Sequence, residues 1–150
     1  GGSISFQNIE RVENGTAGNP TTVYSIQPYL GFFIFDQVEF SIPVSFTRIR
    51  SGDEYFTELR FFLAPSYHLN IDEQTYPFLE GLFGYTTQVQ GATRMGFSWG
   101  GRGGLKVGVT DKGLLNVAMQ YLFVTLNRSG ETERNGMNEF TFSFGFSIWY

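Results

Sequence analysis

The residues from Glu139 to Tyr150 at the C-terminus alternate without a break, and this restricts the chain more than any other feature. Phe140, Phe142, Phe144, Phe146, Ile148 and Tyr150 fall on one side, while Glu139, Thr141, Ser143, Gly145, Ser147 and Trp149 fall on the other. A period of two is the signature of a strand; an amphipathic helix would repeat every 3.6 residues or so. The strand is also long, since globular strands usually run about 5–6 residues.

The pattern recurs upstream. Tyr24, Ile26, Pro28, Leu30 and Phe32 alternate with Val23, Ser25, Gln27, Tyr29 and Gly31; beyond Asp36-Gln37, Val38, Phe40, Ile42, Val44 and Phe46 alternate with Glu39, Ser41, Pro43, Ser45 and Thr47. This predicts a hairpin with a tight turn. Further runs start at Glu58, Leu79, Gly96 and Asn116 and reach Leu69, Thr86, Val109 and Val124, and with a shorter one at Gly2–Ile9 the chain reads as eight strands. The breaks form two alternating sets. Asp36-Gln37, Asn70 to Thr75 and Asp111 to Gly113 are mostly tight, whereas Glu10 to Pro20 and Asn127 to Gly136 are long and charged, with shorter companions at Ser51 to Glu54 and Gln88 to Ala92. An even number of strands with one short-turn end and one long-loop end predicts an all-β fold, an eight-stranded antiparallel up-and-down barrel that takes up residues 1–150 as one domain.

Alternation does not say which face is inside, so size and charge must decide. One face holds Gly96, Gly100, Gly104, Gly108, Gly145, Ser25, Ser41, Ser45, Ser98 and Ser143, poor material for a solvated surface. An eight-stranded barrel has room only for its own side chains, and small residues let polar groups fit among them. The bulky rows then face outward, and they exceed the few hundred Å² of apolar surface that soluble monomers expose, so the medium they meet is lipid. The inward face also places Glu39, Glu58 and Glu80 with Arg60, Arg102 and Lys106, three acids and three bases, as a balanced lumenal charge network. In lipid each base near the midplane would cost roughly 2–4 kcal/mol; in the lumen the six neutralise one another, filling and pinning the interior.

Composition excludes other classes. There is no Cys, hence no disulfide scaffold or thiolate metal site, and a net charge of −4 without a basic stripe argues against a nucleic-acid partner. Only 16% of the residues are charged, 18% are aromatic, and Gly and Phe number 19 and 17. The longest apolar run, Tyr29 to Phe35, is far short of the ~18 residues of a spanning helix. Tyr24, Tyr55, Tyr67, Tyr85, Tyr121 and Tyr150 tend toward strand ends, as interfacial anchors do.

These residues resemble the small eight-stranded outer-membrane barrels of the OmpA/OmpX type, in the version common in Bacteroidetes-like bacteria. The resemblance covers nearly the whole chain: Gly1 to Phe6 is similar to the opening strand, Ile26 to Phe33 to the second and Leu79 to Tyr85 to the fifth. The most specific match is the end, where Phe142, Phe144, Phe146, Ile148 and Tyr150 form an alternating apolar series closed by an aromatic residue. The resemblance implies that the barrel-assembly machinery reads this series as an assembly signal. It further implies a bacterial outer-membrane location, export by a signal peptide removed from or not included in this chain, and both termini in the periplasm. The expected surroundings are outer-membrane lipid, with another outer-membrane protein as a further partner. Within these 150 residues no peptidoglycan-binding domain is expected, and the long loops read as shorter than those of adhesins of the family.

Little in the sequence points to catalysis or to a cofactor. His68, the one histidine, shares a face with Ser66, which invites comparison with outer-membrane lipid-modifying esterases. Nucleophilic catalysis needs nucleophile, base and orienter within reach, and the predicted topology puts His68 inside at the short-turn end. An interior filler is the expected role. Gly100-Gly101-Arg102-Gly103-Gly104 lies in mid-strand and lacks the helix start of a phosphate cradle. Glu131, Glu133, Asp53 and Glu54 lack calcium-loop spacing, and no metal site is expected. The functional expectation is a non-enzymatic envelope barrel with a packed lumen, structural or interacting. The alternatives are a lipid-modifying enzyme and a soluble, calycin-like ligand-binding barrel.

Overall fold

The computed structural model describes residues 1–9, 12–13, 16–17, 21–51, 54–71, 74–90, 92–128 and 135–148. Eight strands build it: β1 (Gly2–Ile9), β2 (Thr21–Phe35), β3 (Val38–Ser51), β4 (Glu54–His68), β5 (Thr75–Gln90), β6 (Ala92–Gly108), β7 (Gly113–Arg128) and β8 (Asn135–Ile148). Each pairs antiparallel with its neighbours in the chain, and β1 pairs with β8 to close the barrel. The expected up-and-down barrel is the fold observed. A two-residue ladder, Val12–Glu13 against Thr16–Ala17, stands between β1 and β2.

The strands outrun the alternation that revealed them. β5 begins at Thr75 and ends at Gln90 rather than spanning Leu79 to Thr86, because Thr75 to Phe78 and Thr87 to Gln90 lack the apolar rhythm while backbone pairing to β6 runs from Thr75–Val107 out to Gln90–Ala92. The shorter loops expected at Ser51 to Glu54 and Gln88 to Ala92 shrink accordingly, since β3 runs to Ser51, β4 starts at Glu54, and β5 and β6 flank position 91. Val109, expected on β6, lies in the turn, where its N–H donates to the Gly113 carbonyl at 2.9 Å.

Prolines interrupt the ladders on three successive interfaces. Pairing lapses at Gln27-Pro28 between β2 and β3, at Ile42-Pro43 between β3 and β4, and at Ala64-Pro65 between β4 and β5, since proline has no N–H to donate. The barrel is also uneven at its seam. β7 and β8 are paired continuously from Asn135–Leu126 to Ile148–Gly113, whereas among the described residues β1 meets β8 at Gly2–Phe146, Ser3–Gly145 and Ile4–Phe144.

Burial sorts the two faces. Leu30 is 82% exposed and Phe144 61%, and Ile26, Phe32, Phe61, Leu63, Phe83, Met119 and Phe142 also point outward. Trp99 and Phe123 stack at 4.4 Å on this outer surface. The buried row is mostly polar, from Ser41, Ser45 and Thr47 on β3 to Ser143 and Ser147 on β8. The tight fit between neighbouring strands shows at Gly84 of β5, where a Cβ would collide with the Phe61 carbonyl of β4.

Candidate functional site in the barrel lumen

The inward row of β4 reads Glu58, Arg60, Phe62, Ala64, Ser66, His68 from the long-loop end to the short-turn end, all buried. That order divides the lumen into a charged layer, an apolar layer and a second charged region. Every one of the six charged residues singled out in the sequence lies inside.

Toward the long loops, Arg60 Nη2 is shared between Glu58 Oε1 at 2.5 Å and Glu139 Oε1 at 2.6 Å. Glu58 sits two residues away on the same strand, but Glu139 belongs to β8 on the opposite wall, so the guanidinium braces the barrel across its width. Gln88 donates to the second Glu58 oxygen at 2.7 Å. Arg60 Nε is buried without a hydrogen-bond partner.

Beneath this group lie Phe62, Ala64, Leu82, Leu122 and Val124, a buried apolar cluster in the lumen itself. These side chains are close-packed, and the buried Thr86 and Ser98 hydroxyls at the same height bond to each other, which leaves little for a water file to hold.

Toward the short turns, Arg102 and Glu80 are direct cross-strand partners on β6 and β5. Arg102 Nε donates to Glu80 Oε2 at 2.5 Å, and its Nη1 reaches Gln27 Oε1 on β2 at 3.0 Å. Ser41 donates to the other Glu80 oxygen at 3.2 Å. Nearer the mouth, Lys106 Nζ and His68 Nε2 both stand 2.9 Å from Glu39 Oε2. Gly31 leaves the space that the Glu39 carboxylate occupies here, and a Cβ would push that carboxylate aside. The His68 ring lies between Phe33 and Phe78, at 5.4 and 5.8 Å. Glu39, His68, Lys106, Tyr29 and Tyr76 line a cavity of about 950 Å³ that opens at the short-turn end. The lumen is therefore plugged at mid-height and open as a vestibule at one mouth, not packed throughout.

Two members of the network were missed in the sequence. Glu139 adds a fourth carboxylate to the three counted, and His68 joins Glu39, so among the described residues the ion-paired set in the lumen has four acids against three permanent bases instead of an even number. Glu139 was detectable, since it heads the polar row of the last strand, but its partner lies across the barrel, where no sequence spacing points. The apolar layer was hidden because Leu82 and Leu122 share a face with glycines and polar residues.

The Ser66–His68 pair is close, with Ser66 Oγ 3.0 Å from His68 Nε2. Glu39 contacts that same nitrogen, whereas a relay needs serine on one ring nitrogen and the orienting carboxylate on the other. The group is built as a polar cluster. Of the C-terminal series, Phe142, Phe144, Phe146 and Ile148 all face outward and are exposed; Tyr150 lies outside the described residues.

No family model matches the sequence, and no curated protein does. Among solved structures, the chain is similar to neisserial surface protein A (NspA), with 12% identity and a TM-score of 0.61 over 99% of this chain and 92% of that one. It is also similar to the outer membrane protein OprG from Pseudomonas aeruginosa, with 10% identity and a TM-score of 0.54 over 97% and 90%. At these identities the likeness is one of fold: a closed antiparallel barrel of eight strands.

Proposed function

We propose that this chain is a non-enzymatic β-barrel of a bacterial outer membrane, a structural or interaction component of the envelope with both termini in the periplasm. The observation that carries this reading is the inversion of the two faces. The outward rows are large, apolar and exposed, while the lumen holds seven charged side chains in ion pairs. Water would penalise the first and lipid rewards it. A soluble calycin-like barrel would need the reverse. The fold shared with NspA and OprG supports the same reading, and within such barrels the OmpA/OmpX-like, Bacteroidetes-type version is the one the strand sequences resemble. The apolar layer favours a barrel that conducts no stream of solutes. During insertion its partner is the assembly machinery, which would read Phe142, Phe144, Phe146, Ile148 and Tyr150; in the mature state it is lipid, with or without a second outer-membrane protein.

Adjacent residues on β8 provide the test. Phe144→Asp places a charge in the lipid-facing row and should abolish assembly, measured as loss of the heat-modifiable band on gels of membrane fractions. Ser143→Ala, on the lumenal side, should assemble as the parent does. Equal outcomes would reverse the assignment of inside and outside.

A further inference from the structure

We draw no further inference here: the strongest candidate, the vestibule at the short-turn end of the lumen, belongs to the site already described, where Glu39, His68 and Lys106 hold one another, and nothing in the structure shows what would fill it.

Discussion

The two ends of the lumen use the same chemistry under opposite conditions. At the long-loop end two carboxylates converge on one guanidinium, with Glu58 only 1% exposed and an apolar layer beneath. At the short-turn end Lys106 and His68 converge on one carboxylate oxygen, beside a vestibule of about 950 Å³. Water can reach the second group and replace a missing partner. In the first group Glu139, at 24% side-chain exposure, also meets water, but Glu58 and Arg60, at 2% and 8%, have no such recourse, so these two ions are fixed to each other and to the walls they span. Similar ion pairs therefore act as a rigid brace in one place and as an adjustable lining in the other.

Removing Arg60 should break this contrast most severely. Arg60→Met leaves Glu58 and Glu139 facing each other without a counter-charge, and should cost about 3–5 kcal/mol in urea unfolding of the barrel in lipid vesicles. Leu82→Ala opens the layer that separates the two ends, with an expected loss of about 2–4 kcal/mol by the same measurement. Lys106→Met should be the mildest, near 1–2 kcal/mol, because Glu39 keeps His68 and gains water from the vestibule. Equal losses for the Arg60 and Lys106 variants would erase the distinction between the ends.

The wall was far more legible in the sequence than the interior. Alternation is a local property of a strand, so Phe140 to Ile148 or Val38 to Phe46 declare their faces without reference to anything distant. Contacts inside the barrel are not local. Arg60 and Glu139 lie 79 residues apart and Lys106 and Glu39 lie 67 apart, and only the closed ring brings them together. Charge counting therefore placed Glu39, Glu58, Glu80, Arg60, Arg102 and Lys106 on one face, yet gave no means of saying which pairs meet or that Glu139 joins them. The vestibule was equally hidden, because it depends on the gap left between Gly31, Tyr29 and Lys106 rather than on any of them alone.

The seam between β1 and β8 bears on how the ring comes to be a ring. Neighbouring strands are joined through short turns or loops, so each new pairing closes a small loop at modest entropic cost. The last pairing must bring together Gly2 and Phe146, the two ends of nearly the whole chain, and among the described residues it is repaid by three residue pairs where β7 and β8 share fourteen. The most demanding closure carries the smallest local reward. Completion of the cylinder is thus a late event, driven less by the seam itself than by Glu139 finding Arg60 and Gln27 finding Arg102 across the interior, and a barrel under stress should part along this line before any other.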